Sequence, residues 1–236
     1  MCFDGPAEDL KLTANTQPAI LTMSVIANEI LKEHGVQPDV VGGHSLGEYS
    51  ALVAADVLDF QDAVLLVHKR GQFMQEAVPV GQGGMAAIIG LADEVIIDAC
   101  EKATRAAGEV QAVNFNCPGQ TVIAGTNKGV EAAVELLKEA GAKKAVILPV
   151  SAPFHSTLMK PAGIKLAAEL DKVEIRDARI PVVSNYTGEL EHTAAEIKAN
   201  LVAQADHPVK WIACVNAMKV FGADTFVEAG PGKTLC

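Results

Sequence analysis

Hydrophobic positions recur along the chain with two periods, and the period decides what each stretch can become. Ile20, Met23, Ala27, Ile30 and Leu31 fall on one side of a helix. Thr16-Gln17-Pro18 supplies its N-cap and a first-turn proline, and Gly35 stops the run. Pro38 to Val41 reads as a short strand and Leu46 to Val57 as an alanine-rich helix. Asp59 caps a further helix, ending near Pro79, in which Ala63, Leu66, Val67, Arg70 and Met74 share a face. Between Gly81 and Val150 the pattern gives strand (85–90), helix (93–107), strands (110–115 and 121–124), helix (129–140) and strand (145–150). That βαββαβ order is the split arrangement of ferredoxin-like units, with Asn116-Cys117-Pro118-Gly119-Gln120 as its central turn. From Ser151 follow a loop to Ser156, a helix to about Asp171, a strand at Pro181 to Asn185, helices to about Val220, and a last strand at Thr225 to Glu228. The expected fold is α/β: a mainly parallel sheet domain at 1–80 and 151–236, interrupted by a ferredoxin-like subdomain at 81–150.

A chain of 236 residues, half of them hydrophobic, can bury a core of this size. Its formal charge of −10 argues against nucleic acid or an anionic membrane as the main partner. The five cysteines are scattered without C-x-x-C spacing, so neither a disulfide framework nor a zinc site is expected, and a reducing cytoplasm is the expected compartment. No basic-then-apolar leader opens the chain, and no apolar run reaches the roughly 18 residues a membrane span requires.

Candidate chemistry centres on Gly43-His44-Ser45-Leu46-Gly47, placed between the predicted strand and helix. The spacing fits the G-x-S-x-G nucleophile elbow of α/β-hydrolase-like sheets, in which the glycines let neighbouring backbone crowd the turn and the serine stands clear. A helix start also suits an attacking oxygen, since the next N–H groups point at any oxyanion formed there. Serine needs a base. Of six histidines, His44 adjoins Ser45 and reads as structural, while His34, His68, His192 and His207 lie in polar surroundings typical of exposed positions. His155, flanked by Pro153 and Phe154 in a loop entering a helix, is the candidate base, the alternative being a surface histidine. Arg70, in an otherwise apolar stripe, either clamps a carboxylate or snorkels to solvent.

The elbow, His68-Lys69-Arg70-Gly71, Asn114 to Gln120, Ser151 to Ser156, and Glu228-Ala229-Gly230-Pro231-Gly232-Lys233 together resemble the malonyl-CoA:acyl-carrier-protein transacylase family, in its order and over nearly the whole chain. The resemblance implies malonyl transfer from CoA to the phosphopantetheine thiol of acyl carrier protein through a malonyl-serine, in fatty acid biosynthesis. It implies Ser45 as nucleophile, His155 as base and then acid, and Arg70 as the malonyl carboxylate's partner. Substrate contacts are implied at Leu46, whose N–H is one oxyanion donor, and at Phe154, His44, Asn116 and Lys210. The imidazole would be oriented by a backbone carbonyl near His207-Pro208-Val209-Lys210-Trp211. No metal or cofactor is implied, and the expected state is a monomer. The family opens with a strand and a glycine- and glutamine-rich loop that gives the second oxyanion N–H. Nothing similar precedes Met1 to Pro6, so the expectation is a chain truncated at both ends and impaired alone.

Three other readings stay open. An α/β-hydrolase esterase shares the elbow but leaves the inserted unit and Arg70 unexplained. An acyltransferase module of a polyketide synthase shares Phe154, and a fragment that only binds CoA or carrier protein is compatible with the missing ends. Lys143-Lys144 and Lys160 with Lys165 would suit an acidic partner, or are simply solvated faces.

Overall fold

The computed structural model describes residues 1–79, 81–150 and 152–236. Val80 and Ser151, where the expected domain limits fall, lie outside the described residues. In chain order come α1 (Ala7–Lys11), α2 (Thr13–Glu33), α3 (Leu46–Ala54), α4 (Phe60–Ala77), β1 (Gly83–Ile89), α5 (Asp93–Ala106), β2 (Val110–Cys117), β3 (Gln120–Thr126), α6 (Asn127–Glu139) and β4 (Lys144–Ile147). A 3₁₀ turn (Thr157–Met159), α7 (Lys160–Leu170), β5 (Val182–Val183), β6 (Leu190–Glu191), α8 (Ala194–Gln204) and α9 (Trp211–Phe221) follow. Two compact units result: Met1–Gln72 with Leu166–Leu201 and Ala213–Cys236, and Phe73–Lys165 with Val202–Ile212.

In the first unit α2 starts at Thr13, ahead of the predicted cap, and holds Pro18 in its interior. Proline has no N–H, so the Ala14 carbonyl loses its helical partner. His68 Nδ1 takes it up at 2.7 Å, which makes His68 a half-buried structural donor rather than the exposed residue its neighbours suggested. Three residues on, Gly71 lets α4 pass close to α2, where a Cβ would stand 2.6 Å from Ala14 Cα. The strand predicted at Pro38 to Val41 shrinks to a parallel bridge between Val41 and Val182, carried by Val41 N–H to Pro181 O (3.0 Å) and Val183 N–H to Val41 O (2.9 Å). β5 then turns back to pair antiparallel with β6, a hairpin whose two-residue arms are too short to show a period. Thr225 to Glu228, predicted as a strand, joins no ladder among the described residues, and Phe226 and Val227 stay exposed. An extended run becomes a strand only when a neighbour takes its N–H and C=O groups.

The second unit carries a four-stranded antiparallel sheet in the order β2-β3-β1-β4. Alternation sorts its residues: Ala86, Ile88, Ala112 and Ile123 face the apolar sides of α5 and α6, while Met85, Val113, Val122 and Ala124 form the opposite layer, against which Phe154 packs. Val209 extends the sheet edge, donating to Val113 O (2.8 Å) and accepting from Phe115 N–H (3.0 Å).

Glu191, on β6, is buried; its Oε2 accepts from Asn200 Nδ2 at 2.6 Å, and Oε1 has no hydrogen-bond partner among the described residues. Burial pushes its carboxyl up to about 7, the Asn200 bond opposing and the Glu196 charge adding. The folded chain therefore holds this proton more tightly than the unfolded one. The associated stability is complete below the ordinary carboxyl range and is lost as pH rises through about 7. Urea unfolding should find Glu191→Gln more stable than wild type by roughly 1–3 kcal/mol at about pH 8, the two converging near pH 5. Parallel stability profiles across that range would show that Glu191 does not titrate there.

Candidate active site

The backbone at Ser45 adopts φ 54° and ψ −106° at the threshold of α3, a conformation that costs a non-glycine residue about 1–3 kcal/mol. Among the described residues, only Asp56 and His155 besides Ser45 combine a side chain with positive φ. Asp56 follows the end of α3, where Asp56 N–H to Val53 O (3.1 Å) and Val57 N–H to Leu52 O (2.9 Å) form a Schellman cap. Ser45 and His155 end no helix, so their strain needs another reason.

The two elbow glycines have different tasks. A Cβ on Gly43 would lie 2.0 Å from the Gly47 carbonyl, whereas one on Gly47 would meet nothing within 4 Å. Crowding therefore constrains Gly43 alone, a correction to the expectation that both positions need it. His44 is half-buried, its carbonyl accepting Gly47 N–H at 2.9 Å. Leu46 opens α3, so its N–H belongs to the turn that helix geometry leaves without a carbonyl partner.

Ser45 makes no side-chain cap. Its Oγ accepts from Arg70 Nη2 at 3.2 Å. A guanidinium only donates, so the serine's own proton is directed to a different acceptor. Arg70 Nη1 donates to Gln17 Oε1 at 2.7 Å, and the guanidinium lies 5.4 Å from the centre of the Tyr49 ring. Only 2 % of Arg70 is exposed, which excludes snorkelling. Burial holds its pKa below the ordinary value while Tyr49 and Glu48 pull upward, and burial pushes the Tyr49 phenol up to about 12. Asn185, just beyond β5, closes the elbow: its Oδ1 accepts Ser45 N–H at 2.6 Å, its Nδ2 donates to Gly43 O at 2.8 Å, and its N–H donates to Glu48 Oε2 at 3.0 Å.

In the second unit His155, also 2 % exposed, has φ 62° and shares a 2.8 Å bond between Nδ1 and Gln204 O. A carbonyl only accepts, so Nδ1 carries the proton and Nε2 is the basic nitrogen of the neutral ring. The orienting carbonyl thus lies at Gln204, just before the expected His207 to Trp211 segment. Gln204 is the last residue of α8, where intrahelical bonding has run out. Ser156 Oγ donates to Pro153 O (2.7 Å), and Gln111 Oε1 accepts Thr157 N–H (3.2 Å), which ties the loop to β2. Phe154 packs against Met74, Val78, Met159 and Ala162 as well as the sheet layer. Asn116 lies near the end of β2, and exposed Lys210 follows the Val209 that pairs with that strand. The structure thus gathers His44, Ser45, Leu46 and Arg70 in the first unit and places Asn116, Phe154, His155 and Lys210 in the second. No cluster of three or more His, Cys, Asp or Glu among the described residues is arranged to hold a metal ion.

Residues 3–236 match the model of the acyl transferase domain. The chain belongs to the acyl transferase family. It is 52 % identical to the malonyl CoA-acyl carrier protein transacylase of Bacillus subtilis, across 100 % of this chain and 74 % of that one. A solved acyl carrier protein S-malonyltransferase from Vibrio cholerae O1 superposes with a TM-score of 0.95 at 51 % identity, covering 98 % of this chain and 76 % of that one. A malonyl-transacylase solved in complex with a holo type II PKS acyl-carrier protein does so with a TM-score of 0.95 at 46 % identity, covering 98 % and 75 %.

Two polar residues of this acyl transferase escape sequence reasoning. Gln17 reads as part of a helix cap and Asn185 as the end of a strand; the only available signal is a polar residue directly beside an apolar run. No helix among the described residues is long and apolar enough to cross a membrane. The glycine asymmetry has a direct test by thermal unfolding. Gly43→Ala should lower the melting temperature severely or prevent folding, whereas Gly47→Ala, inside a helix, should hold or raise stability by up to about 1 kcal/mol. Equal losses at both positions would contradict the close approach.

Proposed function

We propose that this acyl transferase moves malonyl from malonyl-CoA to the phosphopantetheine thiol of acyl carrier protein, as in fatty acid biosynthesis. The observation that carries the reading is a serine oxygen on a strained elbow 3.2 Å from a buried, oriented guanidinium. A nucleophile beside a fixed cation suits an acyl group that ends in a carboxylate.

Ser45 Oγ attacks the thioester carbonyl as His155 Nε2 takes its proton, and the oxyanion gathers on the Leu46 N–H. The C–S bond breaks, and His155 returns the proton to the departing CoA thiolate. The malonyl-serine ester keeps its carboxylate on Arg70, which orients the carbonyl for the next attack. The carrier thiol then gives its proton to His155, adds to the ester, and expels Ser45 Oγ, which recovers the proton. Phe154 limits space beside the malonyl methylene, and His44, Asn116 and Lys210 complete the substrate contacts. Every step uses the chain's own side-chain and backbone groups, with no cofactor. A cytoplasmic location belongs to the same reading, in keeping with five cysteines scattered through the sequence without C-x-x-C spacing.

The polypeptide relative bound to a carrier protein supports this partner. Among the alternatives, the esterase reading finds no use for Arg70, which is buried against the nucleophile.

Intact-protein mass spectrometry after brief exposure to malonyl-CoA is the decisive measurement. Wild type should gain one malonyl group and Ser45→Ala none. Arg70→Ala should acylate roughly 30- to 1,000-fold more slowly, because a buried charged contact is lost, and should discriminate less against acetyl-CoA. His155→Ala should slow acylation by roughly 100- to 10,000-fold. A folded wild-type chain without the adduct, or an adduct that survives in Ser45→Ala, would overturn the reading.

A further inference from the structure

We propose that Asn185 is a positioning residue for the nucleophile: its carboxamide holds the elbow in the conformation that presents Ser45 Oγ to Arg70. The inference rests on the reading of Ser45 as the nucleophile.

The register of the short parallel pairing delivers Asn185 to the elbow. Val41 pairs with Val182, and equal steps along the two segments bring Asn185 level with His44. A tight turn fixes it there, with Ser184 N–H donating to Glu189 O (2.9 Å) and Gly188 N–H donating to Ser184 O (2.8 Å).

Positive φ at Ser45 turns its N–H away from any ladder or helix, and Gly43 O faces the same side. One carboxamide satisfies both, since it offers an acceptor and a donor in one plane. Oδ1 takes Ser45 N–H (2.6 Å) and Nδ2 gives to Gly43 O (2.8 Å), with Asn185 fully buried. The Asn185 N–H bond to Glu48 Oε2 (3.0 Å) ties the same residue to the first turn of α3. The elbow is thus gripped before, at and after the nucleophile. Because Ser45 N–H is engaged in this way, the oxyanion duty falls to Leu46 N–H. Loss of the grip lets the strained peptide relax and swings Oγ off its line.

Two variants of the full chain test this, read by the rate at which a fluorophosphonate labels Ser45 and, separately, by malonyl uptake. Asn185→Ala should stay folded by circular dichroism yet label roughly 100-fold more slowly, the scale on which small misplacements act. Asn185→Asp supplies a readout that a purely structural role does not move. Its ionised carboxylate repels Gly43 O, whereas its protonated form restores both an acceptor and a donor, so its rate relative to wild type should recover as pH falls. Two titratable groups touch Asn185: the Glu48 carboxylate, which accepts its backbone N–H, and the Cys214 thiol, whose Sγ lies 4.0 Å from Nδ2.

Labelling of Asn185→Ala within about threefold of wild type, a pH-independent Asn185→Asp ratio, or failure of both variants to fold would each overturn the proposal. Wild type that reacts with fluorophosphonate at Ser45 but never with malonyl-CoA sinks the malonyl reading and leaves the Asn185 comparison decisive. Wild type inert to both reagents removes the nucleophile, and with it the role of Asn185.

Discussion

The candidate site depends on one close approach, the backbone of Gly43 against that of Gly47. No side chain fits between them, since a Cβ on Gly43 would stand 2.0 Å from the facing carbonyl. Passing the chain through that gap leaves Ser45 at φ 54°. A conformation of this kind costs energy that must be recovered locally. It is recovered by hydrogen bonds through Asn185, whose carboxamide takes Ser45 N–H and gives to Gly43 O while its own backbone N–H is held by Glu48 of α3. Sequence, strain and the direction of the Ser45 hydroxyl are in this sense one feature: the glycine creates the turn, the turn sets the hydroxyl, and, on the proposal above, the Asn185 carboxamide keeps it there.

Charge is the second organising term. Arg70 has exchanged water for Gln17, the Ser45 hydroxyl and the face of Tyr49, and burial works against its charge. A desolvated guanidinium with a fixed direction favours an anionic ligand strongly, and it discriminates more by what neutral ligands leave uncompensated than by what carboxylates gain. Held 3.2 Å from the Ser45 hydroxyl, it would, on the proposed reading, put substrate choice and covalent chemistry at one location. On the same reading, an acyl group without a terminal carboxylate would leave that charge unanswered when the ester forms.

The ferredoxin-like unit was legible because each strand and helix is long enough to show its own period. The faces of β1 and β3 alternate in the structure as they do in the sequence. Ser45, Arg70 and His155 stood out as candidates because each departs from its surroundings: a serine between glycines, a cation in an apolar stripe, a histidine in a proline-bound loop; the family resemblance, not the pattern, proposed their roles. Asn185 and Gln17 break none. Their importance comes from pairing with residues 140 and 53 positions away, and nothing in a local window reports such a distance. The same limit hid the β5–β6 hairpin and reduced the strand before the elbow to a single bridge, since strand identity resides in the partner.

Pro18 shows how a local defect becomes functional architecture. A proline inside a helix ordinarily costs about 3 kcal/mol, because a carbonyl loses its N–H and the ring crowds the preceding turn. Here the abandoned carbonyl of Ala14 receives His68 from α4, and Gly71, on the same helical face as His68, brings the two helices into backbone contact. Two such contacts fix how α4 is rotated about its axis. That rotation decides where Arg70, lying between His68 and Gly71 in sequence, can point. Gln17, the residue before the proline, receives the guanidinium. The His-Lys-Arg-Gly segment and the Thr-Gln-Pro segment therefore act as two halves of one device, in which the bond that proline leaves open is taken by the helix that carries the cation toward Ser45.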